Sequence, residues 1–119
     1  MIKGVHTMLY TPQAKELREF LRDKIGFKGN DVGDGWLIFD LPEADMGCHP
    51  SDESGKNGAP VGTHEISFYC DDIEQTVKEL KEKGVEFKGD ITDAGFGFVT
   101  HFKVPGDFYL MLYQPKYKK

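Results

Sequence analysis

Val5-His-Thr-Met-Leu-Tyr-Thr11 and Thr63-His-Glu-Ile-Ser-Phe-Tyr69 decide how this chain is organised. Each is a short apolar or alternating run of strand character with a histidine near its start. Each precedes an amphipathic segment that stops at a glycine. His6 and His64 stand 58 positions apart, and so do the two stops, Gly26 and Gly84. One offset that fits both landmarks marks an internal duplication.

The first helix is predicted to open near Pro12 with Thr11 as its cap, since proline suits the first helical position and a hydroxyl accepts a free backbone N–H. Leu17, Phe20, Leu21 and Ile25 form its buried stripe, and Gly26 supplies a left-handed stop. The second helix is signalled by Asp72 as cap with Gln75 three residues on. Ile73, Val77 and Leu80 make its stripe, Glu79 and Lys83 sit one turn apart, and Gly84 ends it.

Strand-like segments separated by turn residues follow each helix. Asn30-Asp-Val-Gly-Asp-Gly35 reads as a turn, Trp36-Leu-Ile-Phe-Asp-Leu41 as a strand, Pro42-Glu-Ala-Asp45 as a turn, and Met46-Gly-Cys-His49 as a short strand. The second half answers with Val99–Val104, the turn Pro105-Gly-Asp107, and Tyr109–Gln114. Phe39 pairs with Phe102 and Pro42 with Pro105 at an offset of 63; Met46 pairs with Met111 at 65. An offset that grows where a turn lengthens is how a diverged duplication behaves.

The predicted fold class is therefore α+β, with two βαβββ repeats forming a curved-sheet cup. Residues 1–119 make one domain: repeat one is 1–50, a polar glycine-rich linker is 51–61, and repeat two is 62–119. A helix covers one face of each curved sheet, and the other faces close a cup, a default ligand site.

Composition excludes several partners. A net charge of −5 argues against nucleic acid, whose phosphates need a basic face. The basic cluster Lys116, Lys118 and Lys119 reads as a solvated tail. No stretch has the length and apolarity of a membrane span, and the start has no apolar run of secretory length, so no membrane is expected. Two cysteines, Cys48 and Cys70, do not make a disulfide framework, and a reducing cytoplasm is the expected compartment. Gly95-Phe-Gly97 precedes a strand rather than a helix, so it reads as a lip of the cup and not as a phosphate loop.

The histidine in His6-Thr-Met-Leu-Tyr, the second in Thr63-His-Glu-Ile-Ser-Phe-Tyr-Cys-Asp-Asp-Ile73, and the ending Pro105-Gly-Asp-Phe-Tyr-Leu-Met-Leu-Tyr-Gln-Pro115 resemble the vicinal oxygen chelate superfamily over almost the whole chain. That group includes glyoxalase I, extradiol dioxygenases and the fosfomycin- and bleomycin-resistance proteins. The resemblance implies a metal held by a histidine on each first strand and, in glyoxalases, a carboxylate on each last strand. His6 and His64 match the histidines, while the carboxylate positions fall on Met46 and Met111. The internal repeat pairs those two residues independently. A thioether is a poor ligand for hard or borderline divalent ions, so half of the implied ligand set is lost.

Strand parity gives the expected cup lining. With His6 go Met8 and Tyr10, and with His64 goes Phe68. Around Met46 and Met111 come Cys48, Tyr109 and Tyr113, and the third strands contribute Trp36 and His101. His101 is also the candidate third histidine of a three-His site.

Two functions follow. The first is a binding module that holds a small molecule in an aromatic-lined cup, without the usual metal and with no cofactor. The alternative is a metal-dependent glyoxalase-like lyase or isomerase, or an extradiol-type dioxygenase, with an altered His-based site holding Ni, Mn, Zn or Fe. In either case a homodimer is expected, since paired modules of this superfamily assemble within or between chains.

Overall fold

In the computed structural model, which describes residues 6–117, the elements run α1 (Ala14–Phe20), β1 (Lys28–Asp31), β2 (Leu37–Asp40), β3 (Ser67–Tyr69), α2 (Ile73–Glu82), β4 (Phe87–Asp93), β5 (Gly97–Val104) and β6 (Phe108–Pro115). A wider π-type turn, Leu21–Ile25, continues α1. β1 and β2 form a two-stranded antiparallel sheet. The other four strands form a sheet of order β3-β6-β5-β4, in which β3 runs parallel to β6 and the remaining pairs are antiparallel. The fold is the α+β class expected from the repeat.

Repeat two supplies every element of a βαβββ unit. Asp72 caps α2 by accepting the Gln75 N–H at 3.1 Å, and the Gln114 side chain accepts the Ile73 N–H at 3.0 Å. Gly84 (φ 86°) ends α2, as Gly26 (φ 90°) ends the π turn, both in the left-handed conformation. The Gln75 side chain reaches forward to Glu79 at 3.0 Å instead of closing a capping box.

Repeat one contributes a helix and a hairpin. Helix α1 begins at Ala14, two residues past Pro12, and Thr11 Oγ1 accepts the Gln13 N–H at 3.1 Å ahead of it. The strand expected over Val5–Thr11 is absent at residues 6–10; Val5 lies outside the described residues. Met46–His49 also form no strand, and all four are exposed. A strand is defined by the ladder it makes, and neither segment is paired.

One core joins the halves. Leu17 and Leu21 of repeat one are buried with Ile73, Val77, Val85, Phe102, Val104, Leu110 and Leu112. Phe20 stacks on Phe102 at 6.3 Å, and Phe27 meets Phe68 edge-on at 5.1 Å. Complete burial of a phenylalanine contributes up to about 3 kcal/mol, so Phe102, 1% exposed, is a principal anchor. The even-numbered residues of β5 and β6 supply this core. The odd-numbered ones lie on the opposite, open face.

Candidate functional site

Sheet register orders the open face in rungs. Lys103 pairs with Tyr109. Next, Lys88, His101, Met111 and Ser67 stand side by side across β4, β5, β6 and β3. The third rung holds Thr92, Val99, Tyr113 and Tyr69. His101 and Tyr109 are exposed and Met111 half-buried, the pattern of a sheet face that no helix covers, whereas Val99 and Tyr113 of the third rung are buried.

One end of this face is aromatic. Tyr113 lies 5.9 Å from Tyr69 and 5.6 Å from Phe96, and its hydroxyl is 2.9 Å from that of Tyr117. Tyr69 donates a hydrogen bond to the Glu43 carboxylate, brought in by the segment after β2. That bond pushes the Tyr69 phenol up to about 12. Burial, followed by the Tyr117 hydrogen bond, pushes Tyr113 up to about 12 as well. Both stay neutral hydrogen-bonding groups at physiological pH. The opposite end is basic: the Lys88 ammonium lies 5.3 Å from the Tyr109 ring centroid, and Lys103 pairs with Asp107 at 3.4 Å.

The sequence-derived site residues divide in two. His101, Tyr109, Met111 and Tyr113 share the open face. Phe68 does not: it stacks on Phe102 at 6.2 Å on the covered side, so the parity inferred for that strand is inverted. His64 stands three residues before β3 and does not carry the phase of the strand. Trp36 also departs from the expected cup position. It precedes β2 at the end of the hairpin turn, and Arg18 of α1 lies 4.9 Å over its ring. His6, Met8, Tyr10, Met46, Cys48 and His64 stand on segments without strand pairing and are exposed.

Three aromatics at the open face, Tyr69, Phe96 and Tyr117, were missed from the sequence. Tyr69 is the neighbour of Phe68, the residue that strand parity assigns to the cup, and Phe96 lies in a glycine turn without strand periodicity.

The donor set does not fit an oxygen-chelating metal. His101 faces a thioether, Met111, across the ladder, and the other carboxylate position, Met46, is 79% exposed in an unpaired segment. Among the described residues, no three His, Cys, Asp or Glu side chains converge as metal ligands. Cys70 is no better placed for nucleophilic chemistry: burial pushes its thiol up, opposite to the shift that activates a thiolate.

Comparison with known proteins agrees with this architecture. The family profile described as Glyoxalase/Bleomycin resistance protein/Dioxygenase superfamily matches residues 3–111. An antibiotic binding protein, TnmS3 from Streptomyces sp. CB03234, superposes with a TM-score of 0.64 at 20% identity, covering 98% of this chain and 100% of that one. Lactoylglutathione lyase from Agrobacterium tumefaciens gives 0.62 at 14% identity, covering 91% and 90%. A member of the same superfamily from Sphaerobacter thermophilus DSM 20745 gives 0.61 at 24%, covering 95% and 98%. No curated protein matches the sequence. Among the described residues, no helix is long and apolar enough to cross a membrane.

Proposed function

The chain belongs to the glyoxalase/bleomycin resistance protein/dioxygenase superfamily, and from that premise we propose that it is a binding protein that holds a small planar molecule against the open face of its four-stranded sheet, without the superfamily's metal. The chemistry of that face carries the reading. Met111 offers a soft, adaptable surface between His101 and the cluster of Tyr69, Phe96, Tyr113 and Tyr117. The two positions that the resemblance matches to the superfamily's carboxylates, Met46 and Met111, are methionines. The fold is shared with an antibiotic binding protein and with a lyase alike, so the residues of the face and not the likeness favour capture.

A second copy completes the cup. The outer edge of β3 has no strand partner among the described residues, and an unpaired edge is a ready template for another chain. The two repeats, 1–50 and 62–119, are then halves of a domain whose cup closes on homodimerisation. Cys48 and Cys70 are both free, which suits a reducing cytoplasm.

The test is metal analysis of freshly purified protein with Ni, Mn, Zn and Fe(II) titration under reducing conditions, followed by thermal-shift screening against planar compounds. Substoichiometric metal and a concentration-dependent rise in Tm with planar ligands are expected. Near-stoichiometric metal, lost when His6 or His64 becomes alanine, would replace this reading with a metal-dependent lyase or dioxygenase.

A further inference from the structure

The open face differs in charge from end to end, and that asymmetry selects among planar ligands. At the aromatic end, the Glu43 carboxylate accepts the Tyr69 hydroxyl, so an acceptor anion already occupies that corner. At the other end Lys88 stands beside His101 in the ladder, and its ammonium reaches over the ring of Tyr109. Lys103 is held by Asp107 at 3.4 Å, and Glu86 lies close enough to act on it as well. Lys88 differs. Among the described residues no carboxylate lies within ion-pair distance of it.

The basic corner therefore has one ammonium already engaged and one available. Met111 and Tyr113 lie one rung apart along β6, two residues or roughly 7 Å, and Lys88 stands two strands, roughly 10 Å, across from Met111. A fused two-ring system covers that rung, and the Lys88 side chain, which already reaches across to the Tyr109 ring on β6, meets its substituent. Its flat body would lie over Met111 against the exposed ring of Phe96, which packs on the buried Tyr113, with the substituent at its far end beside Lys88 and His101.

Resting on the binding reading above, we propose that the ligand is a planar aromatic anion, its rings on the Phe96–Met111 surface and its carboxylate or ionised phenol at Lys88. A cationic group in the same place would meet an ammonium of like charge, and a reversed ligand would set its anion against Glu43. The negative net charge of the whole chain does not decide the matter, because screening confines each charge to about 10 Å at ordinary salt.

Three matched probes test this: 2-naphthoate, its neutral relative 2-naphthamide, and the cationic 2-naphthylmethylammonium, each titrated by calorimetry against the intact chain. The expected order is naphthoate first, by about tenfold over the amide, with the cation weakest. Lys88→Gln removes that tenfold preference, so that acid and amide bind alike, whereas Tyr117→Ala weakens all three together and keeps their order. Equal affinity for acid and amide, or a preference that survives Lys88→Gln, overturns the anion assignment and leaves the binding reading standing. If only the cation binds, the class is likewise wrong. If none of the three binds and added salt leaves the open-face amides protected in a dimer, a second copy occupies the face and both readings fall.

Discussion

The ring of Phe68 lies 6.2 Å from that of Phe102, inclined by only 18°, on the side of the sheet that the helices cover. This one pairing sets the phase of β3: Ser67 and Tyr69 must then face the opposite way, beside Met111 and Tyr113. Phe68 and Tyr69 are adjacent in the chain yet take part in different properties. Phe68→Ala is expected to lower stability by roughly 3 kcal/mol, at the lower end of the range for phenylalanine truncation because Phe68 is only partly buried. Tyr69→Ala should cost far less stability and weaken planar-ligand affinity instead. Urea unfolding and calorimetric binding on the two variants separate these outcomes, and reversed effects would mean the phase is wrong.

Alkaline titration reports on the aromatic end. Tyr69 and Tyr113 are each pushed up to about 12, so an ultraviolet absorbance titration should show two tyrosines ionising well above the ordinary value of 10.0. The leading cause differs, a hydrogen bond to Glu43 for Tyr69 and burial for Tyr113. Glu43→Gln should therefore return Tyr69 toward its ordinary value of 10.0 and leave Tyr113 high. Because both folded-state values lie above the unfolded value, their contribution to stability is fully present below pH 10 and is lost as pH rises through about 12. The protein should thus lose stability on the alkaline side across that window, and less steeply in the Glu43→Gln variant.

Why repeat two was readable and repeat one was not follows from where each strand finds its partner. Phe102, Val104, Leu110 and Leu112 alternate cleanly because β5 and β6 pair along eight residues with one face covered. Asp72, Gln75 and Gly84 set the bounds of α2 through local chemistry alone. Lys28-Gly-Asn-Asp31, by contrast, has no apolar alternation, and it becomes β1 through pairing with β2. The apolar runs at 6–10 and 46–49 have the composition of strands without a ladder to join. For the site, His64 lies outside β3 and so does not share its alternation, which is why parity counted from it points to Phe68 where the strand presents Tyr69. Lys88 carries no sequence signal of its own. Only the β4–β5 register sets it beside His101.

The cap of α2 offers a test confined to local structure. Asp72 accepts the Gln75 N–H at 3.1 Å, one of the four N–H groups that a helix start leaves without intrahelical partners. Asp72→Ala should cost about 1 kcal/mol, measured as a fall in the urea midpoint at unchanged slope. Asp72→Asn, which keeps an acceptor oxygen, should stay within a few tenths of wild type. Equal losses from both variants would mean that the carboxylate charge, not the hydrogen bond, stabilises the helix start.

Gly106 joins the two repeats through contact rather than through sequence. It sits in the β5–β6 turn at φ 107°, and its N–H donates to Gln13 Oε1 at 2.9 Å. A Cβ there would lie 2.0 Å from Thr11 Oγ1, the same oxygen that accepts the Gln13 N–H. Gly106→Ala therefore combines two penalties: an L-residue held at positive φ, of order 1–3 kcal/mol, and a clash that displaces Thr11. Thr11→Ala removes the clashing oxygen and nothing from the backbone strain. In the double variant the loss should be smaller than the sum of the two single losses by at least about 0.5 kcal/mol, with the remainder reporting φ strain together with the tight contacts left to Thr11 Cβ at 3.0 Å and the Phe108 ring at 3.3 Å. Strict additivity in that cycle would show that a Cβ at position 106 does not meet Thr11 Oγ1, and that the turn is tied to the first repeat through the Gln13 hydrogen bond instead.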